Sequence, residues 1–126
     1  MAKTIILLTV LFLTVSCGTR KLVQDANSDV TYGYTAKNPI KVGGIENGPL
    51  NERTYLNSLT GPNGETVVYT RGGSCCAFST KNSPFGQGLL DMYSVTYEGK
   101  KDTVTLYFIM YDKGNRKAPV GFKIKE

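Results

Sequence analysis

The cleanest alternation of apolar and polar positions runs from Thr103 to Tyr111. Val104, Leu106, Phe108 and Met110 point one way, and Thr103, Thr105, Tyr107, Ile109 and Tyr111 the other. A period of two is the signature of a strand. Leu90 to Tyr97 behaves alike, with Leu90 and Met92 on one face and Tyr93, Val95 and Tyr97 on the other. Sizeable side chains on both faces mark these two segments as central strands with some cover on each side. Val120, Phe122 and Ile124 alternate with Gly121, Lys123 and Lys125, the pattern of a terminal strand buried on one face. Thr66 to Arg71 is strand-like by its β-branched content, and Gly72-Gly73 interrupts it before Ser74-Cys75-Cys76-Ala77-Phe78. Near the start, Ile40 and Val42 share a face and Lys41 takes the other, a short strand ended by Gly43-Gly44.

One segment reads as a helix. Asn47-Gly48-Pro49 is a helix start, with a capping residue followed by proline at the first helical position. Leu56 and Leu59, with Tyr55 beside them, can dock one face, and Gly61-Pro62 stops the helix after about three turns. Turns are expected at Asn63-Gly64, over residues 81–88, at Glu98-Gly99-Lys100-Lys101-Asp102 and at Lys113-Gly114-Asn115-Arg116. The order β-α-β-β-β-β predicts an α+β class: a single small domain with a mostly antiparallel sheet of about five strands and one short helix.

The amino terminus has a different character. Lys3 precedes an unbroken apolar run from Ile5 to Val15. That run has the length of a signal-peptide core and falls short of the about 20 residues a membrane span needs. It ends at small residues, Ser16-Cys17-Gly18. Thr14-Val15-Ser16-Cys17 resembles the lipobox of bacterial lipoproteins, matching at Val15, Ser16 and Cys17, with Thr14 where the motif prefers Leu. The resemblance implies cleavage after residue 16 and a diacylglycerol on the Cys17 thiol through a thioether. Several buried acyl chains at about 0.8 kcal/mol per CH₂ make a firm anchor without a transmembrane helix. The expected organisation is a signal peptide over 1–16, a lipidated tether over 17–31 and the α+β domain over 32–126. Gly18-Thr19-Arg20-Lys21 lacks the Asp that retains lipoproteins at the inner membrane of enteric bacteria, and it lacks an acidic surface-export cluster. The expected place is the outer membrane, facing the periplasm.

Composition narrows the chemistry. The net charge is +5, spread over short patches such as Arg20-Lys21, Lys100-Lys101 and Arg116-Lys117. No basic run is interleaved with aromatics, so no nucleic-acid partner is indicated. The chain has no His, which removes the commonest general base and metal ligand. No cofactor and no metal are implied. Glu46, Glu52, Glu65, Asp91, Glu98, Asp102 and Asp112 are dispersed and form no paired-carboxylate motif.

Cys75-Cys76 is the most unusual pair. Neighbours on a regular strand point to opposite faces, which would bury one thiol and leave the other near the surface. Alternatively the two sulfurs close a vicinal disulfide across Cα atoms about 3.8 Å apart, nearer than the usual about 4.4–6.8 Å, a candidate redox or ligand-contact element. Metal binding and intermolecular pairing remain open as well. Arg71, four residues earlier, is a cation able to lower a thiol pKa. Tyr93, Tyr97, Tyr107 and Tyr111 are candidates for a common sheet face able to bind a sugar, a peptide or a protein.

Several stretches together resemble a family of small Bacteroidota lipoproteins of about this length. They are Tyr32-Gly33-Tyr34-Thr35, Lys37 to Gly44, Gly48-Pro49-Leu50-Asn51-Glu52-Arg53, Gly61-Pro62-Asn63-Gly64-Glu65, Gly73-Ser74-Cys75-Cys76 and Tyr97-Glu98-Gly99. Members of that family often carry the name 2-dehydro-3-deoxyphosphooctonate aldolase. Such an aldolase is a (β/α)₈ barrel of about 250 residues, twice this length. The resemblance therefore implies the lipoprotein class and identifies no activity. Three functions stay open: a non-enzymatic envelope lipoprotein that binds a partner protein or supports an envelope assembly, a thiol-redox or oxidant-sensing lipoprotein using Cys75 and Cys76, and a small-ligand module on the tyrosine face.

Overall fold

The structure is a computed structural model, and it describes residues 29–126. The expected signal segment, Cys17 and most of the expected tether lie outside the described residues. At the first described residue, the Asp29 carboxylate ties its own segment to the rest of the domain. It accepts hydrogen bonds from the Thr31 amide (2.9 Å), the Thr31 hydroxyl (2.7 Å) and the Asn38 side-chain amide (2.7 Å).

The elements are β1 (Ile40–Lys41), a 3₁₀ turn (Ile45–Asn47), α1 (Gly48–Ser58), β2 (Leu59–Thr60), β3 (Val67–Ser79), β4 (Gln87–Tyr97), β5 (Val104–Ile109) and β6 (Lys123–Ile124). The α+β class holds. β1, β5, β4 and β3 form a four-stranded sheet in that order, and β2 pairs with β6 in a separate two-stranded ribbon. β3–β4 and β4–β5 are antiparallel, whereas β1 joins β5 in parallel.

Gly72-Gly73 does not interrupt β3 as expected. The extra residue is absorbed as a bulge between Arg71 and Gly73, and the ladder to β4 resumes at Gly73↔Met92. The helix starts where predicted and runs eleven residues, three turns. It ends at Ser58, ahead of Gly61-Pro62, because Leu59 turns extended and pairs with Ile124 of β6. The expected strand over 120–125 shrinks to Lys123–Ile124. Gly121 adopts φ +93°, which breaks the alternation, so Phe122 is buried while Val120 stands 40% exposed.

The core lies on one face of the sheet, beneath α1. Register decides which side chains meet there: Tyr93 sits opposite Leu106, and Val95 opposite Val104. Ile40, Tyr55, Leu56, Leu59, Phe108 and Phe122 complete the cluster. The Phe108 ring is the hub, taking the edges of Tyr93 at 5.3 Å and Tyr55 at 5.6 Å between centroids. Burying such a ring contributes about 1.5–3 kcal/mol by area alone, and each edge-to-face pair adds about 0.5–1.5 kcal/mol.

Candidate functional site

β3 is an edge strand, and the cysteines sit on it at a second bulge. Cys75 pairs with Leu90 and Ala77 with Leu89, which leaves Cys76 as the extra residue without a cross-strand partner. Cys76 has φ +56°, the left-handed region. That turn swings its side chain toward Cys75, and the two sulfurs form a disulfide across a Cα–Cα distance of 3.7 Å. The expected division of the two thiols between opposite faces does not occur, because the bulge cancels the strand alternation it relied on. Cys75 is half-buried and Cys76 is exposed.

Behind this edge, on the core side, lies a polar cluster. The Gly72 bulge puts Arg71 and Ser74 on the same side. The Arg71 guanidinium donates to the Ser74 hydroxyl and to Asp91 Oδ1, each at 2.9 Å, and Ser74 donates to the same Oδ1 at 2.8 Å. Asp91 is only 3% exposed, so this pairing compensates a buried charge. Two residues on, the Tyr93 hydroxyl donates to Glu52 Oε2 at 2.9 Å.

Glu52 comes from α1 and is fully buried, and its Oε1 is the one buried side-chain polar atom without a partner among the described residues. Burial pushes its carboxyl up to about 7; the Tyr93 hydroxyl opposes this, and the neighbouring Asp91 charge adds to it. Burial, together with the Glu52 carboxyl, also raises the Tyr93 phenol. Near neutral pH, Glu52 therefore exchanges a proton inside the core, next to a second carboxylate. In the sequence Glu52 and Asp91 are simply two of the dispersed acids. The available signal was helical spacing, since Glu52, Tyr55 and Leu56 fall at i, i+3 and i+4 on the docked face.

The expected tyrosine face does not form. Tyr93 and Tyr97 belong to the core side, where Tyr97 packs edge-on against Phe122. Tyr107 sits opposite Met92, on the other face of the sheet. Tyr111 lies past the end of β5, with its ring 6.0 Å from that of Phe78. Each strand alternated as expected, but the register between them joins the Tyr93 side of β4 to the Leu106 side of β5.

Opposite the β4–β5 turn, the sheet end is lined by cations from distant parts of the chain. Lys41 and Lys113 border three adjoining depressions, with Lys81, Arg116 and Lys117 around them. The largest holds about 720 Å³, and its Asp112 is engaged by the Thr80 hydroxyl (2.7 Å) and the Asn82 amide (2.8 Å). These bonds hold the Asp112 carboxyl below the usual range. No group of three or more Cys, Asp or Glu able to hold a metal occurs among the described residues. No family model, curated protein or solved structure matches the chain.

Proposed function

We propose that the protein is an exported envelope lipoprotein, held by a lipid on Cys17 at the periplasmic face of the outer membrane, whose domain binds a partner protein rather than catalysing a reaction. The observation that carries this is the apolar run Ile5–Val15 closing on Ser16-Cys17-Gly18 ahead of an α+β domain formed by the described residues 29–126. The resemblance to small Bacteroidota lipoproteins supports it. A binding role draws support from where the titratable groups lie: Glu52 and Asp91 are sealed beneath α1, so shape and charge are what the surface offers a partner. The test is the intact mass of the protein extracted from its native membrane. A mass of residues 17–126 plus acyl chains is expected; an unlipidated mass refutes the anchor. Crosslinking in intact cells should then capture a single envelope protein, and capture of none would count against a partner-binding role.

The Cys75–Cys76 disulfide favours a second function, reversible thiol exchange. A thiolate of a partner dithiol protein attacks exposed Sγ of Cys76, breaking the S–S bond and leaving Cys75 as the leaving thiolate. The partner's second thiolate then displaces Cys76, so the partner ends as a disulfide and Cys75 and Cys76 as thiols carrying two protons. Alkylation of both cysteines without prior reduction would show the dithiol to be the resident form. Alkylation only after reduction is the result expected of the disulfide.

A further inference from the structure

From the placement of its cations we infer that one end of the domain, built by Lys41, Lys81, Lys113, Arg116 and Lys117, rests on the anionic headgroups of the phospholipid surface that carries the anchor. This depends on the lipid-anchor proposal for its setting and on the structure for its geometry. All five side chains are exposed. Among the described residues none of them is in an ion pair; the sole pair is Arg71–Asp91. Tertiary folding brings them together. Val42 bridges to Lys113, the Gly43 amide donates to the Asp112 carbonyl, and a Cβ on Gly114 would lie 2.8 Å from that of Lys41. The 113–117 turn is thereby closed onto β1. Asp112 lines the largest depression and Asp29 feels the Lys117 charge, so carboxylates offset part of the charge of the five cations.

The second observation is where the chain enters. Asp29 is held by Asn38, feels the Lys117 charge, and precedes Tyr32, over whose ring the Lys117 ammonium sits at 4.3 Å. The segment leading back to Cys17 therefore leaves the domain beside the cationic surface. Residues 18–28 span at most about 40 Å when fully extended. An anchor joined to the chain on this side gives the cationic surface a shorter path to the membrane than the far end of the sheet has, and so to a negative surface potential. Lys100 and Lys101, at the turn preceding the other end of β5, point to no such surface and serve as an internal control.

The test uses the mature chain, residues 17–126, carrying C17S so that no lipid contributes. The measurement is co-sedimentation with phosphatidylcholine vesicles and with mixed phosphatidylcholine–phosphatidylglycerol vesicles. Binding is expected only with phosphatidylglycerol, and it should collapse between about 0.1 M and about 1 M salt as the screening length falls from about 10 Å to about 3 Å. Near an anionic membrane each Lys is worth about a fivefold change, so K41Q/K113Q should weaken binding about 30-fold. K100Q/K101Q should weaken it several-fold less, with the thermal midpoint of both variants unchanged. Equal losses in the two variants, salt-independent binding to phosphatidylcholine, or no vesicle binding at all would overturn the inference. So would K41Q/K113Q abolishing capture of an acidic envelope protein while leaving vesicle binding intact. Because the probe carries no lipid, an absent acyl mass on the native protein would refute the anchor separately.

Discussion

Replacing Glu52 by Gln isolates the energetic consequence of its burial. The carboxyl is fully buried, and its pKa rises from 4.5 to about 7. The folded state thus binds this proton more tightly than the unfolded chain does. The associated stability is fully present below about pH 4.5 and is lost as pH rises through about 7. At about 1.4 kcal/mol per pH unit, a rise from 4.5 to about 7 makes the loss at most about 3.5 kcal/mol above pH 8. Gln cannot ionise, and its amide oxygen can still accept from the Tyr93 hydroxyl that now donates to Glu52. Its amide nitrogen gives the position a donor toward Asp91, the role a proton plays in the neutral acid. E52Q should therefore gain on the natural protein by about 2–3 kcal/mol between about pH 4.5 and about pH 8.5. Urea unfolding followed by far-ultraviolet circular dichroism at several pH values measures this, and the difference between the two proteins cancels the other titrating groups. A difference that stays flat across that range would refute the assignment of a buried, proton-exchanging Glu52.

Other outcomes follow from the same geometry. Phe108→Ala removes a fully buried ring that two tyrosines pack against, and should cost about 3–5 kcal/mol in equilibrium unfolding; a loss below about 1 kcal/mol would place the core elsewhere. Arg71→Ala leaves Asp91 with only Ser74 as partner and should cost about 1–3 kcal/mol, most of it recovered in the R71A/D91N double variant. Additive losses in that double-mutant cycle would show that the pair is not coupled. Reducing Cys75–Cys76 opens a link between adjacent residues, so global stability should change by about 1 kcal/mol or less while amide exchange quickens over residues 74–79. A loss of several kcal/mol, or exchange that does not change, would contradict this.

Much of the fold was legible because it is local. Asn47-Gly48-Pro49 places a capping residue and a proline at a helix start, and α1 begins there. The alternation in Leu90–Tyr97 and Thr103–Tyr111 marked β4 and β5, and each is buried as a central strand should be. The ends were harder to read where a partner sets them. Ser58 closes the helix because β6 pairs with the two residues that follow, a contact 65 residues away in the chain between Leu59 and Ile124. Gly72-Gly73 looked like a break because glycine marks both breaks and bulges; only the ladder to β4 distinguishes the two.

By itself the sequence determined the α+β class, the helix, the central strands and the absence of His, since periodicity, capping and composition act over a few residues or none. The tertiary structure alone decided which groups meet. Strand register has a period of two, so a pairing invisible in either strand sent Tyr107 to the face opposite Tyr93. A bulge, which exists only relative to a partner strand, turned Cys76 toward Cys75. Docking α1 on the sheet put Glu52 beside Tyr93 and Asp91, and closing the 113–117 turn onto β1 gathered cations that are scattered along the chain. Burial and charge density belong to spatial neighbours, and spatial neighbours come from the long-range pairings of the chain.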